Sequence, residues 1–154
     1  MIKKVGIDID GTITSVPSSL ERLIVWLICK FPKIGEFTFG SFVRLLPVDR
    51  RAREIIRSSY KNGCKIIFIT SRPIGLRWVT EHWLKWARIP YDQLVFNENP
   101  NSISLREFKR QKVKEYDIEI LVDNSRRIRE YVNGDQSIAI TLKEFFKSAD
   151  LFSD

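Results

Sequence analysis

The chain of 154 residues is poor in several residue types that other function classes depend on. It has one histidine, His82, two cysteines, Cys29 and Cys64, one methionine and seven glycines. A single histidine leaves no imidazole set for a metal and argues against a serine–histidine–aspartate hydrolase. His82 sits on a tryptophan-rich helical stretch and reads as structural or exposed. Two cysteines without metal-ligand spacing do not make a disulfide scaffold, and they fit a reducing cytoplasm. No Gly-x-x-x-x-Gly-Lys-Ser/Thr loop exists, which excludes a P-loop nucleotide hydrolase, and no Gly-x-Gly-x-x-Gly follows the first apolar run, which argues against dinucleotide binding. No stretch supplies the roughly 18 uninterrupted apolar residues of a membrane span. The N-terminus meets Asp8 too soon for a secretory signal. There is no internal repeat and no low-complexity segment.

What is present is a globular composition, 44% hydrophobic and 12% aromatic, with a formal net charge of +7. The length predicts a single domain, 1–154, able to bury a core. The positive balance favours acidic partners: phosphates, nucleic acid or an anionic surface.

The run Lys3-Lys4-Val5-Gly6-Ile7-Asp8-Ile9-Asp10-Gly11-Thr12-Ile13 carries the strongest signal. Side chains alternate along a strand, so Asp8 and Asp10 would share one side if the extended conformation continued past Ile9. Gly11 then permits a sharp turn. Two carboxylates held together call for a cation, and oxygen ligands of this kind suit Mg²⁺.

Downstream, strands and helices alternate. A strand is expected over Lys4–Ile9. Asp49 caps a helix reaching about Asn62, with Gly63 past its end. Cys64–Thr70 is a nearly continuous apolar strand, as in a sheet covered on both faces. A helix around Arg77–Ala87, a short strand Leu94–Phe96 and a helix from Leu105 behind the capping box Ser104–Glu107 follow. A strand Ile118–Val122, a helix Arg126–Val132, a strand Ser137–Thr141 and a last helix from about Leu142 complete the series. This order predicts an α/β architecture: a three-layer, Rossmann-like parallel sheet with helices on both faces. A short apolar helical cap is inserted after strand one, at about 13–47. It contains an all-round apolar helix, 20–31, and the rings of Phe37, Phe39 and Phe42. The insert reads as a small lid packed on itself. A membrane-surface element or a dimer contact are the sharper alternatives, and its rings could stack a nucleobase.

Ligands of such sheets bind beyond the C-terminal strand ends. Those ends collect Asp8 and Asp10, Thr70 and Ser71, and Asp123 and Asn124. At about 100° per residue from Leu105, Lys112 falls near ~340° and Lys109 near ~40°, both on the apolar face of their helix. Lys114 and Arg110 point to solvent. An inward lysine needs a carboxylate or a phosphate as partner.

These residues resemble the four motifs of haloacid-dehalogenase-like phosphatases: Asp8-Ile9-Asp10-Gly11-Thr12, Thr70 or Ser71 after an apolar strand, an inward lysine, and Asp123 after Ile-Leu-Val. The resemblance spans about Ile2 to Thr141. It implies Mg²⁺-dependent phosphoryl transfer from a small phosphorylated substrate. Asp8 would be the nucleophile that forms an aspartyl-phosphate, and Asp10 the acid and base. Asp8, the backbone carbonyl of Asp10 and Asp123 would hold the metal. Thr70, Ser71 and Lys109 or Lys112 would hold the phosphoryl oxygens. Ile69-Thr70-Ser71-Arg72-Pro73, the tryptophan-rich helix and Ile89-Pro90-Tyr91-Asp92 are similar to the small deoxyribonucleotidase-like branch. That branch commonly carries two acids where this chain has Asp123-Asn124, and the missing charge would lower metal affinity.

The expected function is hydrolysis of a nucleotide-like phosphomonoester. A nucleic-acid 3′-end phosphatase is the first alternative, from the arginines and lysines at 106–114 and 126–129. A binding protein that kept the fold without the chemistry is the second, from Asn124.

Overall fold

The computed structural model describes residues 4–14, 46–72, 74–98, 102–133 and 137–148. The expected helix at 20–31, the rings at 37–42 and most of the cap lie outside the described residues. Five strands form one parallel sheet: β1 (Lys4–Ile7), β2 (Lys65–Thr70), β3 (Gln93–Phe96), β4 (Ile120–Val122) and β5 (Ile138–Ile140). Their spatial order is β3-β2-β1-β4-β5, so β1 is central and the direction of winding reverses there. β1 pairs with β2 at Ile7↔Phe68 and with β4 at Ile7↔Val122.

Period-2 alternation sorts the apolar strands into two faces. Val5, Ile7, Ile66, Phe68, Leu94, Phe96, Ile120 and Val122 share one core with Ile56, Trp83, Leu84 and Phe145. Those last four come from α1 (Arg50–Lys61), α2 (Arg77–Trp86) and α5 (Leu142–Lys147). Ile67, Ile69, Val95 and Leu121 face the other way onto Phe108, Val113, Ile128 and Val132. These belong to α3 (Leu105–Glu115) and α4 (Arg126–Val132). The result is the expected three-layer α/β arrangement.

The helix starts follow local chemistry. Asp49 Oδ1 accepts from Ala52 N at 2.9 Å and caps α1. Ser104 Oγ accepts from Glu107 N, but the Glu107 carboxylate does not complete the expected capping box. It takes the Tyr131 hydroxyl at 2.5 Å and the Gln111 amide at 3.1 Å instead. Thr141 and Glu144 form a full capping box at α5.

Three strand expectations are corrected. β1 stops at Ile7, because Ile9 O accepts from Thr12 N and Ile13 N and closes a turn directly after Asp8. β4 begins at Ile120 rather than Ile118, since Asp117 takes φ 50° and Ile118 N closes back onto Val113 O. β5 spans Ile138–Ile140, with Thr141 serving as the cap of α5. Thr14 bridges antiparallel to Val48, and Asp49 N donates to Ile13 O, so the chain leaves and rejoins the sheet at one place.

Candidate active site

β1 and β4 are adjacent and parallel, so their ends place Asp8 and Asp123 side by side at the C-terminal edge. Asp8 N donates to Val122 O and Asp123 N to Ile140 O, which carries the register one residue past each strand. Gly11 turns the chain away with φ 69°, a conformation that favours glycine, and its N–H donates to Thr14 Oγ1 at 2.9 Å. The turn returns Thr12, whose hydroxyl donates to Asp8 Oδ2 at 2.9 Å. Asn124 N donates to Thr12 Oγ1 at 3.2 Å, tying the β1 and β4 loops together.

α3 crosses the sheet face and delivers Lys109. Its ammonium donates to Asp8 Oδ1 at 2.7 Å and to Asp123 Oδ2 at 2.6 Å, with all three side chains buried. Asp123 Oδ1 accepts from Ser125 N at 2.8 Å, and Arg129 donates to Asp123 O at 2.7 Å. Two carboxylates against one ammonium leave this buried cluster one positive charge short. Burial pushes Asp8 up to about 6, against the lowering pull of Lys109, and Asp123 adds to the rise. Burial works against the Lys109 ammonium too, but the two carboxylates outweigh it and raise its pKa.

Asp10 is separated from this cluster. Arg72 Nε and Nη2 donate to its two carboxylate oxygens at 2.8 and 2.7 Å. Arg72 is buried; it donates to Thr80 Oγ1 at 3.2 Å and lies 5.2 Å from the Trp83 ring centroid. Trp83 Nε1 donates in turn to Leu46 O at 3.0 Å. The expectation that Asp8 and Asp10 share one side of an extended strand is therefore corrected: the turn after Asp8 sends the second carboxylate to Arg72.

The structure brings Asp8, Asp123 and Lys109 together. Thr70 is buried at the end of β2, its hydroxyl accepting from Arg72 N at 3.1 Å, and Ser71 is exposed beside it. Lys112 is not brought to the cluster. It donates to Glu115 at 2.7 Å and lines a groove of about 630 Å³ along edge strand β3. The angular argument placed it inward, but it is half-buried at the margin of the face that Phe108, Lys109 and Val113 bury, with its ammonium turned outward to Glu115. Sequence reasoning missed Arg72, Thr12 and Arg129 as parts of the site. The signal for Arg72 was an arginine directly after two hydroxyl residues at an apolar strand end.

The fit of a divalent cation rests on the donor set. Asp8 and Asp123 are adjacent buried carboxylates that share one ammonium, so their cluster lacks one positive charge. Hard oxygen donors in that state suit Mg²⁺. Among the described residues no three His, Cys, Asp or Glu side chains form a metal cluster, and the Asp10 carboxylate is committed to Arg72. That leaves its backbone carbonyl as the group Asp10 can offer a metal.

No protein-family model and no curated protein sequence matches the chain. Solved structures do. A chain of the Pnkp1/Rnl/Hen1 RNA repair complex matches with a TM-score of 0.66 and 16% identity over 91% of this chain. This chain spans only 42% of that one. The HAD domain of effector protein Lem4 from Legionella pneumophila matches at TM-score 0.61 and 15% identity, covering 100% of this chain and 95% of that one. A phosphoserine phosphatase from T. onnurineus matches at TM-score 0.55 and 18% identity, covering 97% and 94%. The chain has the haloacid-dehalogenase-like fold.

Proposed function

We propose that the chain is a Mg²⁺-dependent phosphomonoester hydrolase working through an aspartyl-phosphate on Asp8. The observation that carries this reading is Lys109 bridging Asp8 and Asp123 at the topological switch point of the sheet. In the first step an Asp8 carboxylate oxygen attacks phosphorus, the bond to the leaving oxygen breaks, and Asp10 gives that oxygen a proton. In the second, Asp10 takes a proton from water, whose oxygen attacks the same phosphorus. Inorganic phosphate leaves and the Asp8 carboxylate is restored. Lys109 offsets charge on the nucleophile and the phosphoryl group, and Thr12 fixes the orientation of Asp8. Thr70 and Ser71 would donate to the phosphoryl oxygens on this reading. Asp8, Asp123 and the Asp10 carbonyl would hold Mg²⁺, which supplies charge neutralisation to the phosphoryl oxygens when bound.

The substrate is a small nucleotide-like phosphomonoester on this reading, and the working compartment a reducing cytoplasm. Among the described residues no helix is long and apolar enough to cross a membrane. A second reading, a phosphatase of nucleic-acid ends, is favoured by the match to a chain of an RNA repair complex and by the net charge of +7.

Hydrolysis of p-nitrophenyl phosphate, with and without Mg²⁺, tests the mechanism. Turnover is expected only with the metal and is expected to vanish in Asp8→Asn. Turnover that survives Asp8→Asn would overturn the assignment. A folded wild type inert toward aryl phosphates, nucleotides and phosphorylated ends would favour the non-catalytic alternative.

A further inference from the structure

α2 carries two tryptophans in the open. Trp78 is 56% exposed and Trp86 74% exposed, whereas Trp83 on the same helix is buried. Trp78, His82 and Trp86 are spaced four residues apart, so they lie along one face. Lys85 is exposed on that same face at about 100° per residue. The Trp78 and His82 rings meet with centroids 4.3 Å apart, and His82 Nδ1 lies 2.9 Å from Trp78 O, which sets both rings in place.

Cations border the stripe. Exposed Arg88 stands just beyond its C-terminal end, whereas Arg77 at the first turn is turned to β3, over the Phe96 ring and onto Leu94 O. The acid on this flank, Glu81, faces Arg77 at 3.7 Å. The first turns of α2 also wall the candidate site, since Thr80 and Trp83 hold Arg72, which holds Asp10. The stripe thus runs along the outer face of the helix whose buried face, through Thr80 and Trp83, holds Arg72.

We propose that this face of α2 is a stacking platform for a single-stranded polynucleotide whose phosphorylated end enters the site at Asp8. The inference rests on the phosphatase reading and selects the polynucleotide end as the substrate class. Aromatic rings interleaved with cations are what an unpaired strand requires: bases stack on the rings while the phosphates meet Lys85 and Arg88. From Trp78 to Trp86 the helix rises about 12 Å, room for about three stacked nucleotides at roughly 3.4 Å each. The charge favours a polyanion over an apolar partner, since exposed Lys85 and Arg88 flank Trp86.

The test uses the full chain and the tryptophans as their own probe. An eight-residue oligouridylate is titrated into Asp8→Asn while tryptophan fluorescence is read. Quenching is expected, with affinity that falls as salt rises. For the variants the octamer carries a 5′-fluorescein and binding is read by its anisotropy: Trp78→Ala with Trp86→Ala should weaken it at least about tenfold, and Trp78→Tyr with Trp86→Tyr should retain most of it. In the active protein the double alanine variant should hydrolyse p-nitrophenyl phosphate within about twofold of wild type. Its kcat/KM on the 3′-phosphorylated octamer should drop about tenfold or more. Octamer binding that depends on the rings but gives no turnover would keep the platform and remove the phosphatase reading. Aryl phosphate turnover with no quenching, or with equal kcat/KM on the octamer, would overturn the platform and leave the phosphatase. Binding to phosphatidylserine vesicles in place of the octamer would also overturn it.

Discussion

Arg72 grips Asp10 through both carboxylate oxygens, at 2.7 and 2.8 Å, from a position that is itself buried. The fork geometry of a guanidinium makes this a fixed orientation rather than a diffuse attraction. Asp10 is the proposed acid and base, so its aim is set by Arg72 just past the end of β2.

Replacing Arg72 should therefore separate chemistry from binding. Arg72→Ala is expected to lower kcat on alkyl phosphates at least about tenfold, with a smaller effect on p-nitrophenyl phosphate, whose leaving oxygen needs less protonation. Arg72→Lys keeps the charge but loses the fork, and should recover only part. Steady-state kinetics on the two substrate types checks this. Equal losses on both would point to a general collapse of the site.

Lys109 is the one cation bonded to the buried Asp8 and Asp123 carboxylates among the described residues. Breaking such a cluster by removing one partner typically costs about 3–5 kcal/mol. Lys109→Met should show a loss of that order in urea denaturation of the metal-free protein. Adding Asp8→Asn to Lys109→Met should restore part of it by removing one of the stranded charges. A Lys109→Met variant as stable as wild type would sink the charge account.

The Asp8 carboxyl should leave a pH signature in stability. Burial holds its folded value at about 6, above the ordinary 3.8, so the folded state binds this proton more tightly than the unfolded chain. Its stabilising contribution is then fully present below about pH 4 and is lost as pH rises to about 6. In EDTA at pH 7, Asp8→Asn should be more stable than wild type, by about 3 kcal/mol at most. The gap should shrink toward pH 4. Mg²⁺ should narrow it from the other side by favouring ionised Asp8. Paired melts of the two proteins across this pH range check the sign.

Asn124 offers a gain of charge at the same edge. It is exposed, and its backbone N–H already donates to Thr12 Oγ1. A carboxylate there adds roughly 1 kcal/mol of attraction to a nearby cation at water-like screening. Asn124→Asp should lower the Mg²⁺ concentration for half-maximal activity about fivefold. An unchanged requirement would place Asn124 outside the metal's reach.

Gly6 tests the packing beneath the site. A Cβ on Gly6 would meet Ile118 Cδ1 at 2.9 Å and Cγ2 at 3.1 Å. Overfilling of this kind costs about 1–3 kcal/mol where the neighbour cannot fully yield. Gly6→Ala should lower the thermal midpoint while leaving KM for p-nitrophenyl phosphate near wild type.

Much of the fold was legible because its signals are local. The apolar run Cys64–Thr70 and the caps Asp49 and Ser104 depend on near neighbours, and the structure places β2, α1 and α3 where they indicate. Errors fell where a local pattern competed with a longer contact. The capping box at Ser104 lost its Glu107 carboxylate to Tyr131, a residue on another helix. Lys112 shares the apolar angle of α3, but the sheet covers only part of that helix, and angle alone does not report coverage.

The candidate site divides the same way. Local patterns alone indicate that acids end two strands, that an apolar helix face carries lysines, and that hydroxyl residues close a third strand. Periodicity and turn chemistry suffice for that, since they act over a few residues. Which groups meet depends on how distant elements pack. Lys109 reaches Asp8 across 101 positions, and Arg72 reaches Asp10 across 62. The turn after Asp8 sends two carboxylates, adjacent in the motif, to different cations. Such pairings depend on helix placement over the sheet and on how deeply each charge is buried, and no short stretch of sequence encodes either.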